Sequence, residues 1–579
     1  MSSVLQFTRG VAAAGVIGAS TLAFALLVGV LPGTSIFVFP LAALAGGALF
    51  SIPDRERTLQ VAGALLVGLG ALGLGIVSGF GALEICGLIG AVLATAIVGG
   101  VVPVPRIVST GVLALLALGL VVVNLIPLVL DGGGLGHDES AYALKAQHWL
   151  EGTPETGWSL HRGIAMSGYG YLVLGAGGAE GGLRLLGLGS LLGLAVAAWM
   201  LGSGIGGRMV GPLAAIAVVS SPALLRRSTE FLSDVPASAL LVACMVVVWV
   251  EFAERDRPSY RLLWMLPFAW AAFYLRYQSA LSFALIAVAV AVLFREKARA
   301  AWKPIVATGL VGLAGLVPHF VFATSETGSP LGILLYTADV AGREFFGEGL
   351  RDYFLLMGWP LAAFIGPIAV GFFLWWLVKA RSIAAERTSN LFLMIPAAGQ
   401  VVILGVVSHG EARFIFFPLT LTLIGGIIGL FYVSQTWNRT VSGAVRIGLA
   451  VLLAGSLALS AAYVRRAVES RIVGTEPIEL AGEEMRELSG DSGCSVMTSY
   501  LPQITYYSTC YTAPFRTQLE PEEALEFLPG EERFLLLVED GKRQPTGPDL
   551  EDLLALTDRN PIVVSGERES ADIYLFTDE

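Results

Sequence analysis

The chain has 579 residues, of which 55% are hydrophobic and 14% are charged, and its formal net charge is -10. Soluble domains carry about 25% charged residues, so this composition excludes a soluble cytosolic enzyme and a disordered chain. The negative net charge argues against a nucleic-acid partner, because proteins of that class present basic surfaces. The sequence therefore predicts a polytopic α-helical membrane protein whose surroundings are the lipid bilayer.

Fifteen apolar stretches are long enough to cross ~30 Å of hydrocarbon, for which about 20 residues are needed. Five of them precede a polar segment, 131–183, and ten follow it. The predicted spans lie near 11–31, 35–52, 58–79, 82–103, 108–130, 184–204, 209–225, 233–253, 262–275, 276–295, 303–323, 355–378, 389–407, 412–433 and 443–463.

The Lys and Arg residues of the short loops predict the orientation, because cytoplasmic loops are enriched in them. Most of these basic residues fall on one side of the predicted spans, among them Arg55, Arg106, Arg208 and Arg295. With the N-terminus on that side, an odd number of spans places the C-terminus outside. We therefore expect a multi-pass plasma-membrane protein with a cytoplasmic N-terminus and an extracytoplasmic tail.

The tail, residues 464–579, contains 24 acidic and 10 basic side chains. Acidic helical stretches alternate in it with four short apolar runs, and such alternation predicts a small α/β domain. The runs are 495–498, 534–538, 562–565 and 573–576.

Two of the four cysteines, Cys494 and Cys510, lie in this tail, sixteen positions apart. An oxidising exterior would permit a disulfide bond between them. The alternative is two free thiols in a reducing compartment.

A first polar cluster follows the fifth predicted span, at His137-Asp138-Glu139-Ser-Ala-Tyr142. The pattern from Glu139 onward is helical and places Asp138 at the N-cap position. One interpretation is an ordinary aspartate cap on an interfacial helix. The other is a carboxylate directed into an outer cavity, because ionisable groups at a membrane boundary are costly and often functional.

Further polar residues lie at the same outer boundary. Asp234 precedes Pro236 at the start of a predicted helix and is either a helix-start residue or a second carboxylate of a site. Arg276 interrupts the apolar stretch 262–294, where it either snorkels or binds an anion. A third group begins an otherwise apolar span and consists of His409, Glu411 and Arg413.

The order of these features resembles the GT-C superfamily of integral-membrane glycosyltransferases, on the branch of protein O-mannosyltransferases and lipid A aminoarabinose transferases (family 39-like). The motifs are the Asp-Glu pair with its helical tyrosine, the aromatic segment Ser167-Gly-Tyr169-Gly-Tyr171, the Asp-x-Pro and the His-x-Glu-x-Arg turn. The resemblance divides the chain into an extra N-terminal four-helix segment (1–107), a membrane core (108–463) with the outer loop 131–183, and the α/β domain (464–579).

The resemblance implies transfer of a sugar from a polyprenyl-phosphate donor to a glycan, lipid or protein acceptor on the outer face, with inversion. It makes Asp138 the general base, Glu139 its companion and Asp234 a second acidic residue of the site. Arg276 and Arg413 resemble the residues that hold the lipid phosphate. The remaining implied substrate-binding residues are Tyr142, Tyr169, His409 and Glu411. A divalent metal held by Asp138 and Asp234 is chemically compatible, because hard cations bind carboxylate oxygens.

The sequence departs from the pattern in its four additional spans and at Arg162-Gly-Ile-Ala-Met-Ser-Gly, which replaces a common His-Pro-Pro. The alternative functions are a transporter or flippase for a lipid-linked sugar, a glycan polymerase or ligase, and a non-catalytic scaffold. Transporters often carry a repeated pair of interrupted helices with polar groups near the midplane. The sequence shows no such repeat, and its charges gather at one boundary.

Overall fold

The computed structural model describes residues 124–576 together with Gly119 and Val121, except for the segments 335–346, 354–364, 409, 436–438, 491–492, 516–527, 531, 540, 542, 559 and 567–568. The N-terminal segment 1–107 with its four predicted spans, and most of the fifth span, lie outside the described residues. The described chain forms two compact units. The first contains Gly187–Ser228 and Ser233–Arg465, and the second contains Pro127–Leu186, Thr229–Leu232 and Arg466–Glu579.

Helices dominate the described residues up to Ser489. They are α1 (His137–Glu151), α2 (Ile164–Gly175), α3 (Glu180–Gly206), α4 (Val210–Val219), α5 (Pro222–Arg227), α6 (Asp234–Trp249), α7 (Leu266–Leu275), α8 (Ser279–Leu293), α9 (Arg295–Ala300), α10 (Trp302–Ala314), α11 (Val317–Thr327), α12 (Glu348–Arg351), α13 (Ile365–Lys379), α14 (Ala384–Val407), α15 (Phe416–Gln435) and α16 (Arg439–Ser489).

Within the described residues, four helical stretches are long and apolar enough to cross a membrane, or five if the bent pair α10–α11 is one span. The four are Glu180–Gly206, Asp234–Glu254, Ala384–Val407 and Ala412–Gln435. Each coincides with a span predicted from the sequence, and the chain is a helical membrane protein. The total of fifteen spans stays a prediction, because many of them lie outside the described residues.

Apart from the bent stretch 303–323, two predicted spans differ in the structure. The stretch 209–225 is not one helix but α4 and α5, separated at Ser220 and Ser221. Ser221 has an extended backbone because the residue before a proline is disfavoured in the helical region. The stretch 443–463 does not end at Tyr463 but continues to Ser489. The predicted domain boundary at 464 therefore falls inside a helix, although the two units divide between Arg465 and Arg466.

The second unit contains a five-stranded sheet. Its strands are β1 (Cys494–Met497), β2 (Tyr511–Ala513), β3 (Glu532–Val538), β4 (Ile562–Ser565) and β5 (Ser570–Leu575), in the order β2-β1-β3-β5-β4. Strand β1 pairs in parallel with β2 and β3, whereas β5 pairs antiparallel with β3 and β4. Helix α17 (Leu501–Ser508) connects β1 to β2, and α18 (Pro548–Ala555) precedes β4.

Apolar side chains lie on both faces of this sheet, as the alternation of side chains along a strand requires. In β3, Phe534 and Leu536 pack in one cluster with Ile478 and Met485 of α16, whereas Leu535 packs in the other. Four strands coincide with the predicted apolar runs, and β2 was not predicted. The outer segment 131–183, which the sequence assigned to the membrane core, groups with this domain in the second unit.

Candidate active site

Asp138 belongs to the second unit and lies in the first turn of α1. The N-cap of α1 is Gly136, so the predicted N-cap position of Asp138 is wrong. The capping role falls to Glu139, whose Oε2 accepts a hydrogen bond from the Gly136 N–H at 2.9 Å. The Asp138 side chain is 30% exposed, and its Oδ1 accepts a hydrogen bond from Arg162 Nη2 at 2.7 Å. Asp138 is therefore the second residue of α1, is partly exposed, and is held by an arginine.

Glu139 is buried, and both of its carboxylate oxygens have donors. Besides the Gly136 contact, Oε1 accepts from Arg184 Nε at 3.1 Å and from the Phe231 N–H at 2.7 Å. Burial raises the pKa of this carboxyl, but the charges of Arg184 and Arg471, together with the hydrogen bonds from the Phe231 and Gly136 N–H groups, hold the pKa below its usual value. The side chain thus connects α1, α3 and residues 229–232 as an ionised carboxylate.

The predicted aromatic residues pack around Phe231 in the same unit. The Tyr142 ring lies edge-on to Phe231 at 6.2 Å and to Trp158 at 6.1 Å between centroids. The Tyr169 ring lies 6.2 Å from Phe231, and its hydroxyl donates to the Gly182 carbonyl at 3.1 Å. The Arg162 guanidinium stands over the Tyr142 ring at 5.4 Å. The aromatic group therefore supports the arginine that contacts Asp138.

The first unit contains a pocket that brings together three of the predicted residues, Asp234, Arg276 and Arg413. The other residues that line it are Ala237, Ser238, Leu241, Gln278, Ser279, Ser282, Gln400, Phe414 and Phe417. Asp234 is the first residue of α6, is buried, and forms an ion pair with Arg276. A carboxylate at a helix N-terminus is favoured by the helix dipole.

Arg276 lies in the break between α7 and α8, where its backbone is extended. Its Nε donates to Gln278 Oε1 at 2.9 Å, and its guanidinium lies 5.0 Å from the centre of the Phe414 ring. The predicted spans 262–275 and 276–295 are therefore two short helices whose break presents an arginine to the pocket.

Arg413 lies in a 3₁₀ turn, Ala412–Ile415, that leads into α15. It forms an ion pair with Glu411, the preceding polar residue of the predicted motif. His409 of the same motif lies outside the described residues. The motif therefore supplies one arginine to the pocket, with its own carboxylate partner beside it.

Several residues outside the predicted site have contacts with these groups. Arg162 was noted only as a departure from the family pattern, yet it contacts Asp138. Gln400 is buried in an apolar span, and the cost of such a residue could have singled it out. Arg184 and Arg471 gave no signal in the sequence, because their partners are distant along the chain.

Asp138 belongs to the second unit and Asp234 to the first. That both carboxylates belong to one site therefore stays a prediction. Among the described residues, no three His, Cys, Asp or Glu side chains form a group that could hold a metal ion. The divalent metal between Asp138 and Asp234 also stays a prediction.

Comparison with known proteins gives a family and a fold. The model of the Alg9-like mannosyltransferase family matches residues 184–517, more than half of the chain. The chain is structurally similar to ArnT from Cupriavidus metallidurans bound to undecaprenyl phosphate, with 14% identity and a TM-score of 0.59 over 80% of this chain and 98% of that chain. ArnT of the same organism in the apo state is 13% identical, with a TM-score of 0.57 over 81% of this chain and 98% of that chain. At these identities the likeness shows a shared fold. No curated protein matches the chain significantly.

Proposed function

The chain belongs to the Alg9-like mannosyltransferase family, and we propose that this membrane glycosyltransferase moves a sugar from a polyprenyl-phosphate donor to an acceptor on the extracytoplasmic face. The reaction is a single displacement at the anomeric carbon, with inversion. A glycosyl phosphate already carries a good leaving group. The protein therefore has two tasks, which are to stabilise the departing lipid phosphate and to take a proton from the acceptor hydroxyl.

The observation that carries the proposal is the pocket in the first unit, which is lined by both Arg276 and Arg413. Arginine is suited to a phosphate because its planar donors pair with two oxygens at once and it stays charged. The structurally similar ArnT has been observed with undecaprenyl phosphate bound. We assign the same lipid phosphate to this pocket, with Asp234 orienting Arg276 through their ion pair.

The acceptor side of the proposal rests on Asp138. Its carboxylate is partly exposed and is oriented by Arg162, so an incoming hydroxyl can reach it. Proton removal in the transition state commonly contributes ~100- to 10,000-fold to the rate. Glu139 has donors on both oxygens, so we assign it a positioning role beneath Asp138 rather than a proton-transfer role.

The second unit, with Asp138 and the sheet, lies on the extracytoplasmic side in this proposal. The basic loop residues of the predicted spans support that orientation, as does the disulfide bond between Cys494 and Cys510. A phosphatase fused after Glu579 should be active in cells, because this reporter matures only outside the cytoplasm, and a fluorescent protein that matures only in the cytoplasm should stay dark. The reverse pattern would contradict the orientation.

The decisive experiment measures transfer of radiolabelled mannose from undecaprenyl phosphate mannose in membranes that contain the wild-type chain, Asp138→Asn or Arg413→Ala. We expect both substitutions to reduce transfer by at least ~100-fold. The matched controls are Asp131→Asn and Arg257→Ala, which change exposed residues of the same types and should retain transfer. Full transfer by Asp138→Asn would show that the base assignment is wrong.

A further inference from the structure

We propose that Gln400 is a positioning residue that, together with Ser282, sets the spacing of the two arginines in the pocket. This inference rests on the proposed function, in which Arg276 and Arg413 hold the lipid phosphate. Two arginines bind one anion tightly only if their donor groups are already held in position. A long, mobile side chain loses conformational entropy when it binds, and this cost weakens the affinity. The contacts around Gln400 provide that constraint.

Gln400 lies on α14 and is only 4% exposed. A buried amide costs free energy in apolar surroundings unless its polar atoms are hydrogen-bonded. Here Oε1 accepts from Ser282 Oγ at 2.7 Å, and Nε2 donates to the Phe414 carbonyl at 3.2 Å. The amide thus connects α8 and α14 to the 3₁₀ turn that carries Arg413.

The Phe414 carbonyl cannot accept the usual α-helical hydrogen bond from four residues later in the chain. In a continuing helix this carbonyl would accept from the N–H four residues later, but that residue is Pro418, which has no N–H. Gln400 Nε2 donates to this carbonyl from a different helix, α14. Because the carbonyl can only accept, the amide must direct its NH₂ group toward Phe414, and Ser282 must then donate to the amide oxygen. The orientation of the Gln400 side chain is therefore fixed by chemistry.

The bridge acts on both arginines. Arg413 directly precedes Phe414, so fixing the Phe414 carbonyl also fixes the turn from which Arg413 extends. The Phe414 ring lies against the Arg276 guanidinium, and Ser282 lies in the first turn of α8, which begins three residues after Arg276. Arg276 is therefore connected to Phe414 in two ways. One is the direct contact with the ring, and the other runs through α8 and the hydrogen bonds of Ser282 and Gln400.

The test measures the Kd of the purified full-length chain for undecaprenyl phosphate in detergent. Gln400→Met keeps the side-chain volume close to that of glutamine but removes both hydrogen bonds, and we expect it to weaken binding about 10-fold. In an Arg413→Lys background the same substitution should weaken binding by no more than about 2-fold. Lysine is a flexible point charge whose contact with phosphate does not depend on the direction of a planar fork.

Two further variants complete the test. Ser282→Ala should weaken binding less than Gln400→Met and should add nothing to it in the double variant, because both changes break the same bridge. Ser460→Ala is the matched control, since this buried serine donates to the Ser220 carbonyl at 2.7 Å and does not line the pocket. Its Kd should equal that of the wild-type chain.

The outcomes separate the inference from the proposed function. Equal losses from Gln400→Met in the wild-type and Arg413→Lys backgrounds would overturn the positioning role, as would an unchanged Kd with a lowered unfolding temperature. If the wild-type chain fails to bind undecaprenyl phosphate, the donor assignment is wrong and the inference fails with it. A 10-fold loss that depends on Arg413 supports both.

Discussion

Arg184 and Glu139 form an ion pair that is withdrawn from solvent, with side chains that are 1% and 4% exposed. Arg184 also donates to the Gly134 carbonyl at 2.9 Å. The segment before α1 is rich in glycine because it passes closely by Arg184 and by helix α16. A Cβ atom on Gly132 would lie 2.9 Å from Arg184 Nη1, and one on Gly133, whose φ is +66°, would lie 2.9 Å from the Ile472 Cα. The pair therefore fixes the path of the chain that leads to Asp138.

Removing one partner of this pair should destabilise the second unit. Arg184→Met leaves Glu139 buried with less compensation, and we expect a loss of ~3 kcal/mol in the free energy of unfolding. Combining it with Glu139→Gln should restore part of the loss, because the neutral amide oxygen can still accept from the Phe231 N–H. Urea titration of the purified single and double variants measures their free energies of unfolding. A double variant no more stable than the single one would show that the charge of Glu139 is not the cause.

Glu479 provides a prediction about pH. Burial raises the pKa of its carboxyl to about 7, with further contributions from Glu180 and Glu483 that outweigh the opposing charge of Arg184. A carboxyl whose pKa is raised in the folded state stabilises the fold below its ordinary pKa, and this contribution is lost as the pH rises through the folded value. The unfolding temperature should therefore fall between about pH 4.5 and pH 7 for this reason.

The variant Glu479→Gln isolates that effect. It should unfold at a higher temperature than the wild-type chain at pH 8 and at nearly the same temperature at pH 4.5. Glu487→Gln changes an exposed carboxylate of the same helix. Its unfolding temperature should equal that of the wild-type chain at both pH 4.5 and pH 8. Parallel curves for Glu479→Gln and the wild-type chain across this range would contradict the prediction.

The helical membrane fold could be predicted because apolar runs of the required length are visible in the sequence. The breaks were harder to locate. Arg276 marked one break because a charge interrupted the pattern, whereas the break at Ser221 depends on the proline that follows it. The continuation of α16 past Tyr463 was missed because the helix passes from an apolar to an amphipathic pattern, with Ile478 and Met485 facing the sheet.

Half of the candidate site could be predicted for a similar reason. Asp234, Arg276 and Arg413 were visible as charges in apolar surroundings, and the pocket gathers them. The partners of the loop carboxylates were not visible, since Arg184 is 45 positions from Glu139 and Phe231 is 92 positions away. Such contacts follow from the tertiary fold. The same is true of the hydrogen bond from Gln400 to Phe414, although Pro418 shows in the sequence that the residue four positions after Phe414 has no N–H to donate.

The disulfide bond between Cys494 and Cys510 should stabilise the sheet domain. It closes a short loop that contains α17 and connects the starts of β1 and β2. Disulfide bonds that close loops of about this length contribute ~3 kcal/mol to stability in the chain-entropy account.

The double substitution Cys494→Ser and Cys510→Ser should lower the unfolding temperature, and reductant should no longer affect the unfolding temperature of the variant. Cys244→Ala is the control for general loss of a cysteine, because Cys244 is a free buried thiol. A reductant-insensitive wild-type chain would contradict the assignment.

Arg276 should contribute to the rate of transfer more than to donor binding. Its guanidinium contacts the Asp234 carboxylate, Gln278 Oε1 and the Phe414 ring. Arg276→Lys can keep the ion pair, but it loses the planar donor to Gln278 and most of the stacking. If Arg276 stabilises charge on the departing phosphate, kcat should fall by about 10-fold or more while the KM for the donor changes little.

The control is Arg257→Lys, at an exposed position, which should change neither kcat nor KM. A raised KM with an unchanged kcat would mean that Arg276 binds the donor equally in the ground and transition states, and the leaving-group role would then belong to Arg413 alone.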